Sequence, residues 1–494
     1  MLRTWNLISR RRLCCNPFYS IRKARQTAAS ITEMRNCLRK CLPIFAKISW
    51  SKPILLSLSA LVLYIPTFAQ TTTNFREVPK PADSLVDSIG VNIHMTYGAT
   101  AYGNVTAVKQ MLSTLRVRHV RDAGKYYPID TKYNDYEFGA YGAIASLGIG
   151  FDLILDHNGG SAPSPMTPEA MGALQSLAAK NGVIVESYEG PNEPDLGGIL
   201  NWITDTRSFM QSVYSSAKTS PSASAIPVIG NSLAGPPIDW VLLGDMTAFE
   251  DYGNMHPYAN TQHPSFNFGT ALANQIKVSG SQTIYVTEAG WSNATNAKDN
   301  SPNVSEDAVG RYMGRLFLET LLHGWARTYA YELVDEQADP GLTYTQRHFG
   351  LFRNDYSAKP AAMVITNIIA LMSDKGSAVR PSAVSYSLAT TSPAVHHLLF
   401  YKQDGSYWLA LWQEVSCWSD LNGRGALVTN PEVAVKLTLP NAGPSITTYR
   451  PHDSTAVVQS FANQQTVTLM VPDHPLLVKF SLIAAPTNLR ARVQ

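Results

Sequence analysis

The sequence predicts an α/β chain, a (β/α)8 barrel of the TIM type followed by a small all-β sandwich. Three observations predict it. From residue 88, short β-rich runs alternate with longer helical stretches over about 285 residues, which suits a barrel of ~250 residues with insertions. After Asp374 the helical stretches stop and only short β-rich runs follow, with Asp404-Gly405 as a hairpin turn signal. Two of the earlier runs, Val183-Ile184-Val185 and Thr283-Ile284-Tyr285-Val286-Thr287, also leave into glycine and polar residues. Strands that feed an active loop end in this way.

In chain order, residues 1–69 form a leader with 12 basic side chains and one acid, Glu33. Within it, residues 53–69 are an apolar run behind Lys47 and Lys52, closing on Pro66, Thr67 and Ala69. That is the layout of a secretory signal peptide, with a membrane anchor as the alternative. Cleavage would leave a secreted chain, extracellular or periplasmic, without stable membrane insertion. Residues 70–87, with Pro79 and Pro81, read as a linker.

Residues 88–374 form the expected barrel. Its strands are read at 89–95, 117–121, 150–155, 183–188, 226–229, 251–256, 283–287 and 328–333. Helices are read between them at 105–115, 168–180, 203–217 and 307–322, with a last one at 361–372. Residues 375–485 are the expected sandwich and 486–494 a tail. Beyond residue 69 the chain carries 28 basic and 36 acidic side chains, net −8. That balance argues against a nucleic-acid partner. Of five cysteines only Cys417 lies after the leader, so an internal disulfide is excluded there.

The chemistry concentrates in Glu189-Gly190-Pro191-Asn192-Glu193-Pro194-Asp195. Glycine and two prolines end the fourth strand, because proline cannot donate to a ladder. Thr287-Glu288-Ala289-Gly290-Trp291 repeats the pattern at the seventh strand. Three βα units fill the interval between the two glutamates, so Glu193 and Glu288 should face each other across the barrel mouth. Two carboxylates across a cleft are what glycosidic cleavage requires. One protonates the leaving oxygen and the other attacks or stabilises an oxocarbenium-like centre. Two like charges also resist ionising together, which separates the two roles.

On these residues the chain resembles the retaining glycoside hydrolases of clan A, cellulase- and mannanase-like barrels with an Asn-Glu after strand four and a Glu after strand seven. The resemblance implies that Glu193 is the acid/base and Glu288 the nucleophile, acting on a poly- or oligosaccharide. It further implies that Arg121 of Val120-Arg121-Asp122 holds the nucleophile and that His157 lies at the strand-three end. Asn192 would bind a sugar 2-hydroxyl. In His256-Pro257-Tyr258, Tyr258 would orient Glu288 and His256 contact Glu193. Where such relatives carry a strand-eight Trp, this chain reads Tyr329-Ala330-Tyr331, so Trp291 or Tyr331 would supply the stacking face.

Ordinary readings compete with each residue. A single glutamate is commonly a solvated charge, a histidine a hydrogen-bonded core residue and an arginine a structural ion-pair partner. His94 and Asn231, at the ends of strands one and five, are weaker sugar contacts. Glu332, Asp335 and Glu336 could hold hydroxyls or a cation, or merely face solvent. Trp408 and Trp412 share one strand face, as core residues would. The sequence beyond the leader lacks phosphate-loop, nucleophile-elbow, zincin and paired C-x-x-C motifs. No metal or cofactor is expected. A non-catalytic carbohydrate-binding protein and a transglycosylase are the alternative functions.

Overall fold

The computed structural model describes residues 70–482, except 127–130, 158–161, 197, 199, 300, 376–380, 420–424 and 442–444. The expected signal peptide and leader (1–69) and the tail (486–494) lie outside the described residues. Among the described residues, no helix is long and apolar enough to cross a membrane.

The chain opens with strand β1 (Thr71–Glu77), the short β2 (Lys80–Pro81) and helix α1 (Ala82–Asp87). The barrel strands are β3 (Ile89–Asn92), β4 (His119–Ala123), β5 (Gly150–Ile154), β6 (Ile184–Glu189), β7 (Val228–Ile229), β8 (Gly253–Met255), β9 (Ile284–Ala289) and β10 (Arg327–Ala330). All neighbouring pairs are parallel, in the order β7-β6-β5-β4-β3-β10-β9-β8. The ring closes between β7 and β8 through a parallel bridge from Ile229 to Tyr252. Gly230 N–H also donates to Tyr252 O at 2.8 Å. Closure removes free edges and sends the strand C-termini to one mouth.

The helices between strands are α2 (Val105–Leu115), α3 (Thr131–Ala145), α4 (Pro168–Lys180), α5 (Trp202–Thr219), α6 (Ile238–Leu243), α7 (Phe268–Ser279), α8 (Glu306–Leu322) and α9 (Pro360–Met372). Local chemistry sets several of their starts. Asn104, Thr167 and Ser305 each accept a hydrogen bond from the backbone N–H three residues on, and Pro168 occupies a first-turn position where no donor is needed. Helix α3 carries Gly139 and Gly142, poor helix formers that blur its apolar stripe. The Cβ that Gly142 lacks would sit 2.1 Å from Asn181 O, so close packing against the end of α4 explains that glycine.

The β domain has two main sheets, β1-β11-β16-β19 and β18-β17-β20-β13-β12-β2. Its later strands run from β11 (Val384–Thr390) and β12 (Val395–Tyr401) through β13 (Tyr407–Gln413), β14 (Trp418–Ser419), β15 (Ala426–Leu427), β16 (Val433–Thr438), β17 (Ser445–Tyr449), β18 (Val457–Ala462) and β19 (Thr466–Val471) to β20 (Leu476–Phe480). Period-two alternation explains the layering. Val384, Tyr386 and Leu388 of β11 pack with Leu409 and Leu411 of β13 in the sandwich core. Trp408, Ala410 and Trp412 point the other way, into the apolar cluster shared with the barrel. The Trp412 indole N–H donates to Glu319 Oε1 of α8 at 2.6 Å.

One boundary needs correction. Residues 70–87 are not a linker. Residues 71–77 pair antiparallel with residues 384–390 over the full length of β1, and Lys80–Pro81 pairs parallel with β12. The prolines misled the reading. Pro79 lies between strands, and Pro81 sits in a two-residue strand at a sheet edge, where a missing N–H is tolerated. Helix α1 then buries Leu85 and Val86 in the barrel core.

Candidate active site

The fourth strand ends at Glu189, and the following loop is fastened at two points. Asn192 bridges to Ser232 after β7. The Asp195 carboxylate accepts from the backbone N–H of Ala234 at 3.1 Å and of Gly235 at 2.6 Å. Between these anchors Glu193 adopts φ 44°, a left-handed conformation that costs a non-glycine residue about 1–3 kcal/mol. The anchored loop holds that conformation and turns the Glu193 side chain over the barrel.

Arg121 of β4 lies beneath it, 1% exposed, with all five guanidinium N–H groups engaged. Nε donates to Glu189 Oε2 at 2.6 Å and Nη2 to Glu189 Oε1 at 2.7 Å. Nη2 also reaches Asn192 Oδ1 at 2.7 Å. Nη1 donates to Asn92 Oδ1 at 2.9 Å and to Glu288 Oε1 at 2.6 Å. One cation therefore ties strands one, two, four and seven together. Burial works against its charge, but Glu189 and Glu288 outweigh burial and hold its pKa well above the usual value.

Glu288 on β9 receives a second donor, the Tyr258 hydroxyl at 2.8 Å to Oε2. Burial raises its pKa. The charges of His256 and Arg121 and the hydrogen bonds from Tyr258 and Arg121 outweigh burial and hold it at about 2. His256 Nδ1 lies 2.7 Å from Glu193 Oε1 and 3.7 Å from Glu288 Oε2. Its Nε2 is 2.9 Å from Thr287 Oγ1, which in turn donates to Asn254 Oδ1 at 2.8 Å. Thr287 has one proton, which faces the acceptors Asn254 Oδ1 and Glu189 Oε1 (3.2 Å), so it accepts from His256 Nε2–H. Burial opposes protonation of His256, but Glu288 and Glu193 prevail and raise its pKa. Glu193, His256 and Glu288 each offer a polar atom within 4.8 Å of the others.

Glu193 and Glu288 line a cavity of about 630 Å³ at the barrel mouth, with Arg121, Asn192, Tyr258, Trp291 and Tyr331 also on its wall. Two expectations take a different form. His157 does not line it. Asp152, Ile154 and Asp156 alternate along β5 and its extension; Ile154 and Asp156 reach the cavity, so His157 has the opposite parity. Its ring packs on Phe209 of α5 at 4.8 Å. Trp291 lines the cavity but is only 3% exposed. Tyr312 covers it at 5.0 Å, and its indole N–H donates to Gln262 O at 3.3 Å, so little ring face remains for stacking. Tyr331 is half-buried beside Phe349 (5.4 Å) and His94 (5.5 Å). Asn231 is buried and does not line the cavity, whereas His94 does.

Sequence reading missed Glu189, Asn92, Asn254 and Thr287 as parts of the network, and Tyr97, which stacks on His94 at 4.9 Å. Glu189 carried a signal. A carboxylate closing an apolar strand needs a buried cation, and Arg121 ends a strand two places away in the sheet.

No family model matches this sequence, and no curated protein matches it either. Solved structures do match in fold. A family 39 glycoside hydrolase from the gut symbiont Bacteroides cellulosilyticus WH2 superposes with TM-score 0.53 at 15% identity, covering 82% of this chain and 83% of that chain. The GH39 enzyme from Xanthomonas axonopodis pv. citri gives 0.51 at 14%, covering 82% and 96%. A monomeric β-xylosidase from Caulobacter crescentus CB15 gives 0.51 at 12%, covering 83% and 98%. At these identities the likeness establishes the barrel with its added β domain.

Proposed function

We propose that this chain is a secreted retaining glycoside hydrolase that cleaves β-glycosidic bonds in an oligo- or polysaccharide. The observation that carries the reading is the spacing of Glu193 and Glu288, which offer oxygens within 4.8 Å of each other on one cavity wall. A single-step inverting reaction needs carboxyl groups ~6.5–9.5 Å apart to admit water, whereas covalent double displacement uses ~5–5.5 Å. Two of the similar structures are GH39 enzymes and one is a β-xylosidase, which agrees at the level of fold. Secretion rests on the signal-peptide layout of residues 53–69.

In this mechanism Glu288, kept ionised by Arg121 and Tyr258, attacks the anomeric carbon as the leaving oxygen takes a proton from Glu193. A glycosyl ester on Glu288 results. Glu193, now a carboxylate hydrogen-bonded to His256, removes a proton from water, which displaces Glu288 and restores both groups. Asn192 spends its carbonyl oxygen on Arg121, which leaves its amide N–H groups to donate to a sugar hydroxyl. Glu288→Gln should abolish turnover. Glu193→Gln should still release the first product from substrates with good leaving groups, then stall before hydrolysis. NMR of the first anomer released from aryl β-glycosides should show retention. Wild-type rates in both variants across a panel of β-linked glycans would refute the assignment.

A further inference from the structure

A second constellation stands where the barrel begins and ends, on loops after β3 and β10. His94, Glu332 and Glu336 each present a ligand atom within 4.8 Å of the others. Glu332 is completely buried. Its Oε2 accepts the Tyr102 hydroxyl at 2.9 Å, but its Oε1 has no hydrogen-bond partner among the described residues. His94 Nε2 is equally unpartnered, although it lies 3.3 Å from Glu332 Oε2. At that distance a hydrogen bond would form if the two groups pointed at each other. They do not, and both remain available to a common third partner.

Arg347 acts on Glu336 through its charge, with no ion pair between them among the described residues, and the other two nearby cations are committed elsewhere. Lys359 Nζ bonds to Asp335 Oδ1 at 2.7 Å and to Asn293 Oδ1 at 2.6 Å. Arg121 has no free N–H. Buried carboxylates without a cation are costly, and orphaned buried polar atoms are uncommon in native proteins. A divalent ion would balance the charge of both glutamates and give the orphaned His94 Nε2 a partner.

We propose that His94, Glu332 and Glu336 form a divalent transition-metal site, with zinc as the fitting ion. Zinc binds imidazole and carboxylate at about 2.1 Å, which places tetrahedral ligands about 3.4 Å apart, close to the observed His94–Glu332 separation. An imidazole among the ligands disfavours magnesium and calcium, which take oxygen. The His94 side chain is only 15% exposed and its Nε2 carries no hydrogen bond, so that atom is open to an ion. Its other contacts suit a tethered ligand: the ring stacks on Tyr97 and lines the cavity. The ion would pin the last barrel loop to the first and fix the His94 side of the cavity, taking no part in the carboxylate chemistry.

The test is calorimetric titration of the chelator-treated full-length protein with zinc chloride alone, with elemental analysis after dialysis. One zinc per chain is expected, together with a higher Tm. Glu336→Gln, a half-buried loop position, should weaken binding at least tenfold while circular dichroism stays unchanged. Glu193→Gln serves as the contrasting arm, because Glu193, His256 and Glu288 are similarly close; it should bind zinc as the wild type does. Absence of zinc binding in the wild type, wild-type affinity in Glu336→Gln, or loss of binding in Glu193→Gln would each overturn the assignment. None of these readouts depends on glycosidase activity.

Discussion

Tyr258→Phe removes one oxygen and leaves the ring beside Tyr331 and Phe349, whose centroids lie 6.4 and 6.2 Å away. The lost hydroxyl is the 2.8 Å donor to Glu288 Oε2. A hydrogen bond to an ionised buried carboxylate contributes about 1.5–3 kcal/mol, equivalent to about 1–2 pKa units. Glu288, held at about 2 in the native site, should therefore titrate at about 3–4 in the variant. The acid limb of kcat/KM, which reports the free enzyme, should rise by the same 1–2 pH units. Under the proposed double displacement, the second chemical step should also slow by ~10- to 100-fold, because Glu288 would depart as a carboxylate without its donor. The assay is a pH profile with an aryl β-glycoside, coupled to stopped-flow detection of a burst as the glycosyl ester accumulates. An acid limb that stays in place, with no burst, would refute the idea that Tyr258 holds the nucleophile in its charged form.

Three further outcomes are expected. Arg121→Met leaves Glu189 and Glu288 buried without their cation, so urea unfolding should show a loss of about 3–5 kcal/mol together with loss of activity. Glu250 is 2% exposed, and burial, only partly offset by the Ser279 hydroxyl, raises its pKa from 4.5 to about 8. The folded state thus favours the protonated acid, and stability declines as pH climbs from 4.5 through 8. Glu250→Gln should match the wild type near pH 5 and exceed it above pH 8 by up to about 5 kcal/mol, read from denaturant midpoints. A chain started at residue 80 loses the β1–β11 ladder and exposes an apolar edge; light scattering should detect a lower Tm and self-association.

The barrel was legible because its signals are local. Helices at 105–115 and 168–180 carry caps and clear apolar faces, and the structure has them at the residues read. Strand 228–229 is short, yet its neighbours fix the count. Helix α3 was not singled out, since its glycines are explained only by what it packs against. The same division holds at the site. Glu193, Glu288, Arg121, His256 and Tyr258 sit at strand ends in an order that topology converts into proximity. His157 was misjudged because one residue of parity decides between cavity and helix. Trp291 does reach the cavity wall, but Tyr312 of α8, which packs on its ring, becomes its neighbour only once the chain folds. The pairing of β1 with β11 is likewise invisible to local patterning.

That pairing has a consequence for biosynthesis. Residues 71–77 leave the ribosome early, yet their partners at 384–390 are about 313 residues away. At ~5–20 residues per second the opening strand waits roughly 15–60 s for its mate. The whole barrel emerges in that interval, so a strand made before the barrel is among the last to be secured, and a nascent-chain binder that shields it would raise the yield of soluble product.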